Sequence, residues 1–278
     1  MVKVDLITGF LGSGKTTFIK KYASYLMEQG QNIGILENDF GAINVDMMLL
    51  RELEGENCEL EMVAGGCDKD CYRRRFRTKL IAMGMCGYDR VLIEPSGIFD
   101  VDDFFDALNE EPLDKWYQIG NVITVVDACL EENLSEGADY ILASEAANAG
   151  CILLSRTQQA SEGQIKATVA HINRALEKIH CKRTLKDEVV CGDWEAFSEK
   201  DYKKILESGY QVEDYEKNVY RAGRDLPVTV FDGRRNFSNE SQRGGKGDFW
   251  RPGMRTSLPY QGIFERRKCM AGAECDSP

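Results

Sequence analysis

An α/β fold built on a mostly parallel sheet is the class this sequence predicts, and three observations predict it. Short apolar runs alternate with stretches of helical periodicity over the first two-thirds of the chain. Several of those runs, such as "VITVV" within 121–128, are continuously apolar, which suits strands buried on both faces. A glycine-rich turn, "GFLGSGKTT" (9–17), lies between the first strand pattern and the first helix pattern.

The elements follow in order. "VKVDLIT" (2–8) is the first strand, and a helix over 15–29 follows the turn. "NIGILE" (32–37) and "CELEMVA" (58–64) are the second and third strands, with a helix over 69–84 after them. "DRVLIE" (89–94) precedes a helix over 101–109, "NVITVVDA" (121–128) a helix over 136–148, and "CILLS" (151–155) a helix over 162–180. Residues 193–220 read as helical and acidic, and "LPVTVF" (226–231) is a candidate for one more strand. These readings divide the chain into a nucleotide-binding domain over 1–190, an acidic helical extension over 191–231 and a tail over 232–278. The tail changes composition abruptly, with seven Gly, seven Arg and no apolar periodicity. Its nine Lys/Arg against six Asp/Glu leave −14 on the remainder of a chain whose net charge is −11. A solvated, disordered tail is the expectation. A basic interaction arm and an altered reading frame are the alternatives.

Composition excludes several classes. Net negative charge argues against generic nucleic-acid binding, because phosphate backbones select basic surfaces. No apolar run reaches the roughly 18 residues of a membrane helix, so no membrane role is expected. The N-terminal "MVKVDLITGF" lacks the apolar core of a secretory signal. A cytoplasmic protein is expected, in which the ten cysteines serve as ligands or core residues rather than as a disulfide frame.

The glycine-rich turn carries the chemistry. It fits G-x-x-x-x-G-K-[ST] with Gly9, Gly14, Lys15 and Thr16, and its strand–turn–helix context is that of a phosphate loop. Gly9, Gly12, Ser13, Gly14 and Thr17 complete a wall whose backbone N–H groups can approach phosphates at a helix N-terminus. Lys15 can reach β- and γ-phosphates, and Thr16 can ligate Mg²⁺. The fold class narrows accordingly to a P-loop NTPase, three layers α/β/α. "LENDFGAINVD" (36–46) then supplies Glu37, Asp39 and Asp46, and "LIEPSG" (92–97) supplies Glu94 and Gly97. An acid ending a strand beside the phosphate loop can polarise Mg²⁺ or its waters, and a nearby glycine lets a backbone N–H sense a γ-phosphate.

In combination, "GFLGSGKTT", "ENDFG", "GGC", "IEPSG" and "VITVVDA" resemble the CobW-like branch of the class that also holds the UreG and HypB GTPases. The resemblance covers about residues 1–160. It implies a slow GTPase that uses GTP and Mg²⁺ and delivers a metal ion, zinc or cobalt, to a client metalloprotein; a homodimer stays open. It places the first switch at Glu37 to Gly41 and the second at Glu94 to Gly97, with Lys15, Thr16 and Glu94 as the catalytic group. Two motifs depart from the family pattern. The tight triplet Cys-x-Cys-Cys is replaced by "GCDKDC", with Cys67 and Cys71 four apart. The guanine motif Asn/Thr-Lys-x-Asp is replaced by Ser155-Arg156-Thr157-Gln158, where Gln158 offers a neutral acceptor in place of a carboxylate. Metal-binding histidine runs are absent: the chain has His171 and His180 alone.

At i and i+4 of a helix, Cys67 and Cys71 face one side, and thiolates select soft or borderline ions such as Zn²⁺. Two ligands do not hold zinc alone; the resemblance offers Glu37 as a third, with Cys58 and Cys86 as lesser candidates, while Thr16 can ligate Mg²⁺ and Asp39 is a further metal candidate. Inert structural cysteines and a redox pair are the competing readings. Arg73, Arg74, Arg75 and Arg77 read as a solvated helix face partnering the acidic surface. Two further functions stand beside metal delivery: a nucleotide-dependent activator of a metalloenzyme without metal carriage, and a small-molecule kinase on the same fold.

Overall fold

The computed structural model describes residues 1–39, 45–64, 69–95 and 101–216. The strand candidate 226–231 and the tail 232–278 lie outside them. The strands are β1 (Val2–Thr8), β2 (Ile33–Asp39), β3 (Cys58–Ala64), β4 (Arg90–Glu94), β5 (Tyr117–Asp127), β6 (Cys151–Ser155) and β7 (Val189–Val190). The helices are α1 (Lys15–Glu28), α2 (Val45–Leu50), α3 (Lys69–Met83), α4 (Val101–Leu108), α5 (Leu113–Trp116), α6 (Glu136–Asn148), α7 (Glu162–Lys178) and α8 (Glu199–Leu206).

The sheet order is β3-β2-β4-β1-β5-β6-β7, and each neighbouring pair is parallel. Successive residues of each strand serve opposite cores. Leu6 faces one and Ile7 the other, and Leu36 and Ile35, Ile93 and Leu92, Leu154 and Leu153 divide in the same way. One core is closed by Phe76 and Leu80 of α3, Phe104 of α4, Leu142 of α6 and Leu176 of α7. The other is closed by Phe18, Tyr22 and Leu26 of α1, Leu50 of α2 and Ile205 of α8. The result is a three-layer α/β/α sandwich, the class the sequence predicts. Its continuous apolar runs arise because both faces of the sheet are covered.

β5 begins four residues before the strand expected at 121, and the cause is local. Val4 of β1 pairs with Ile119, whereas Leu6 pairs with Val122, so one extra residue of β5 bulges opposite Asp5. A Cβ on Gly120 would stand 2.3 Å from Asp5 Oδ1, which keeps this position glycine. Asp5 is fully buried. It accepts from Arg90 Nη1 at 2.6 Å, from the Asn121 backbone N–H at 2.9 Å and from the Tyr22 hydroxyl at 2.9 Å. Burial, then the Asp5 charge, pushes the Tyr22 phenol well above its usual range. The glycine and polar residues of this bulge interrupt the apolar signal that marks the strand in sequence.

Over the described part of the helix expected at 193–220, helix is confined to α8, with a short 3-10 turn at Trp194–Ala196 before it; 217–220 lie outside the described residues. Residues 207–216 instead run irregularly, with Tyr215 packed against the core closed by α3, α4, α6 and α7. Gln211 donates its backbone N–H to Asn148 at 3.0 Å, and Glu216 to Ile179 at 2.8 Å. Asn121 Oδ1 accepts from the Gly209 N–H at 2.8 Å, so this segment is anchored on the β5 bulge. Among the described residues, no helix is long and apolar enough to cross a membrane.

Breaking the buried pair by Asp5→Ala leaves the Arg90 guanidinium uncompensated in the core. A loss of about 3–5 kcal/mol is expected from urea unfolding. Lys115→Ala, which removes a solvent-exposed i,i+4 partner of Glu111, should leave the unfolding midpoint within error.

Candidate functional site

β1 is the central strand, with β4 on one side and β5 on the other, and the chain reverses its direction of travel across the sheet at this point. Crevices at such a switch, beyond the carboxyl ends of the strands, are where doubly wound sheets bind ligands. Glycines 9–14 occupy it. Gly9 has φ +134°, and a Cβ there would stand 2.2 Å from the Val125 carbonyl oxygen of β5. Gly12 and Gly14 also lie in the left-handed region, at +76° and +102°. The Ser13 N–H donates to the Phe10 carbonyl at 3.1 Å and closes the turn. α1 starts at Lys15 with neither a side-chain cap nor an acid in its first turn. Its first backbone donors are therefore offered outward, in the arrangement that suits an anion.

Lys15 and Thr16 are buried, while Gly12 and Thr17 are exposed on the loop. Lys15 Nζ donates to the Phe10 carbonyl at 3.1 Å and stands 3.7 Å from Glu94 Oε1. The Thr16 hydroxyl lies 3.1 and 3.0 Å from the two oxygens of Glu94. Glu94 ends β4, and its Cα partner across β2 is Glu37, itself 2% exposed. Residues paired across a parallel ladder share a face, so the sheet brings Glu37 and Glu94 together beside the loop. Ser13 is buried, and its hydroxyl has no hydrogen-bond partner among the described residues.

The loop after β6 closes the other flank. Arg156 has φ +53°, rare for a non-glycine residue and typical of residues held in place by their function. Its Nη2 donates to the Gly12 carbonyl at 2.6 Å, and its Nη1 pairs with Asp127 at the end of β5. Ser155 is buried against Gly14, and Gln158 is exposed beyond it. Trp194 seals this corner: its ring would lie 3.3 Å from a Cβ on Gly14, and its indole N–H donates to Leu154 at 3.1 Å. Thr157 donates to the Gly192 carbonyl at 2.7 Å, which ties the loops after β6 and β7 together.

Cys71 lies on α3 and is half-buried. Cys67 and Gly97 fall outside the described residues, and Asp39 is described as the backbone end of β2. Among the described residues, no group of three or more His, Cys, Asp or Glu could hold a metal ion. Arg73 and Arg77 of the neighbouring arginines share one partner. Arg73 Nη2 meets Glu110 Oε1 at 2.8 Å and Arg77 Nη1 meets Glu110 Oε2 at 2.9 Å, so they brace α3 against the turn after α4. His171 pairs with Asp139 at 2.7 Å across α6 and α7, and His180 stands 3.8 Å from Glu216.

Three site neighbours escaped the sequence reading: Asp127, Trp194 and Glu145. Glu145 is 1% exposed, yet it is the acid of the alanine-rich stretch "ASEAAN" in α6. Burial pushes its carboxyl up to about 8, with Lys15 and then the Gly9 amide pulling the other way. An ionisable residue within an otherwise apolar helix run was the available signal.

A phosphate loop at a sheet switch point, flanked by carboxylates on neighbouring strand ends, defines a P-loop nucleotide-binding protein. The description CobW/HypB/UreG, nucleotide-binding domain, matches residues 3–185, and the chain belongs to that family. It is 29% identical over 184 residues to the zinc chaperone YjiA of Escherichia coli, covering 62% of this chain and 55% of that one. It is 30% identical over 128 residues to the zinc chaperone YeiR of the same organism, covering 46% and 38%. The zinc-regulated GTPase metalloprotein activator 1 of Schizosaccharomyces pombe is 23% identical over 188 residues, covering 65% and 44%. The chain thus spans about half the length of the curated relatives it matches, or less. Among solved structures, Zn(II)-bound YjiA GTPase from E. coli aligns at 23% identity and TM-score 0.40, over 62% of this chain and 54% of that one. The hydrogenase maturation factor HypB from Archaeoglobus fulgidus aligns at 18% and 0.46, over 74% and 87%.

Gly9→Ala combines a disallowed φ with a backbone clash. It should cost at least about 2 kcal/mol and abolish binding of a fluorescent GDP analogue. Gly30→Ala, at φ +79° with open space around it, should cost about 1 kcal/mol and leave binding intact. Thermal unfolding and fluorescence titration check both.

Proposed function

We propose that the protein binds and hydrolyses GTP and delivers or inserts a metal ion, zinc in the first place, into a client metalloprotein. The carrying observation is the pairing of Glu37 with Glu94 across β2 and β4. It sets a candidate metal ligand beside the carboxylate that holds Thr16. In this reading Lys15 meets the β- and γ-phosphates, and the amides of Gly12 to Thr17 line the rest. The oxygen donors Thr16, Glu94 and Asp39 fit a hard cation. Bound Mg²⁺ would neutralise phosphate charge. Glu94 orients the Thr16 hydroxyl and, with Gly97, forms the second switch. Ser155, Arg156 and Gln158 border the base, with Arg156 holding the loop through Gly12. GTP over ATP is supported by the family, although Gln158 supplies a weaker acceptor than a carboxylate. The metal cargo is assigned to Cys67, Cys71 and Glu37; the zinc-chaperone relatives support zinc, and Co²⁺ is the second candidate. The client is a metalloprotein, and a homodimer is an arrangement this reading accommodates.

Lys15→Ala and Thr16→Ala should each abolish GTP turnover while circular dichroism stays nearly unchanged. Wild-type turnover should be slow without a partner. Turnover persisting in Lys15→Ala would remove the assignment.

Coupling between metal and nucleotide is the second expectation. Ordering of the first switch by a γ-phosphate would move Glu37 relative to the thiols and change the zinc site. Zinc titration against a competing chelator should give affinities differing by about tenfold between GDP and a non-hydrolysable GTP analogue, which needs only about 1.4 kcal/mol. Cys67→Ser and Cys71→Ser should weaken zinc in both states. Equal affinities in the two nucleotide states would end the coupling model.

A further inference from the structure

Glu145 has no task in the function just described, yet it lies directly behind the phosphate loop. Its own carbonyl accepts the Thr124 hydroxyl at 3.1 Å, and Thr124 lies 3.0 Å from the hydroxyl of Thr8, the residue before Gly9. These bonds pin α6 to the ends of β5 and β1. The carboxyl is fully enclosed, and Lys15 is the cation whose charge bears on it. The Gly9 amide lies beside it, short of full hydrogen-bond geometry, and neither carboxyl oxygen has a completed hydrogen bond among the described residues. The other charged groups packed on α6 are engaged elsewhere: Arg183 donates Nη1 to the carbonyls of Ala146 and Ala147 at 2.7 and 3.0 Å, and the charges around it are Glu188 and Glu213. His171 and Lys178 of α7 hold Asp139 at 2.7 and 2.5 Å, Asp102 of α4 accepts from Tyr215 at 3.2 Å, and β5 presents Thr124. Among the described residues, Lys15 is thus the charged group that bears on the Glu145 carboxyl, and Lys15 already stands 3.7 Å from Glu94 Oε1.

We propose that Glu145 is a positioning residue of the phosphate site. As the neutral acid it leaves the Lys15 charge to the nucleotide, and as the carboxylate it neutralises that charge, so nucleotide binding is linked to a proton on Glu145. The inference rests on Lys15 meeting phosphate. The electrostatic sign follows from burial. With its pKa raised to about 8, the free protein carries Glu145 neutral below that pH and ionised above it. A bound phosphate satisfies Lys15, removing the pull that favours the carboxylate, and adds negative charge nearby. Both effects raise the pKa further, so the complex holds the proton more tightly than the free protein. By linkage, affinity is full below about pH 8 and is lost as pH rises above it.

The test is GDP binding by calorimetry from pH 6.5 to 9, in two buffers of different ionisation enthalpy, on the full chain and on Glu145→Gln. The wild type should bind GDP about tenfold more weakly at pH 9 than at pH 7, with close to one proton taken up per GDP at the upper end. Glu145→Gln, a neutral isostere, should retain binding at pH 7 and lose both the slope and the proton uptake. Ionisations of GDP itself are common to both proteins and cancel in the difference. Matching slopes and uptake in the two proteins would overturn the proposal while leaving the phosphate site standing. Absence of GDP binding by folded wild type at every pH would overturn the phosphate reading and the proposal with it. If Glu145→Gln does not fold, carbon-13 NMR of the wild-type carboxyl decides: its pKa must rise when GDP is added, and an unchanged pKa rejects the linkage.

Discussion

The contact between Gly9 and the Val125 carbonyl sets the geometry of everything around it. β1 ends between β4 and β5, and the chain must turn at once into α1. The turn fits because Gly9 has no side chain and accepts φ +134°. From that point Gly12 and Gly14 carry the left-handed twists, Ser13 closes on Phe10, and α1 begins with its backbone donors open. Lys15 and Thr16 are then delivered to Glu94 by the first turn of a helix that cannot shift. Phe18 and Tyr22 stack one turn apart within the core below, with centroids 5.4 Å apart.

Charge at this crevice is finely balanced. Three carboxyl groups are buried at this crevice: Glu94 stands 3.7 Å from Lys15, Glu37 pairs with Glu94 across the sheet, and Glu145 feels the Lys15 charge. Full ionisation of all three around one ammonium would be costly in so little water. The structure divides the load. Glu94 is bonded to Thr16 and close to Lys15, whereas Glu145, deeper and without a completed hydrogen bond, is driven toward its neutral form.

The fold and the phosphate loop were legible in sequence because both rest on local rules. Strand–turn–helix punctuation, continuous apolar runs and the obligatory glycines are all short-range signals, and they located six of the seven strands among the described residues. The two-residue β7, the bulge at Gly120 and Asn121, and the packing of 207–216 onto the β5 bulge depend on partners far away in sequence. The identity of the acid that partners Arg73 and Arg77 on their half-exposed face, Glu110, depends on tertiary contacts in the same way.

By itself, then, the sequence determined that a P-loop sheet would form and which residues would stand at its phosphate turn. Glycine, lysine and threonine at fixed spacing carry that information wherever the turn occurs. Tertiary structure decided how the acids meet at the turn and added Glu145 to the two that the sequence had named. Glu37 and Glu94 become neighbours through the parallel register of β2 and β4, and Glu145 joins Lys15 because α6 lies across the ends of β1 and β5. The positions of Arg156 and Trp194 against Gly12 and Gly14 were decided in the same way. Their chemistry is set by burial and distance, and neither is written in the order of the residues.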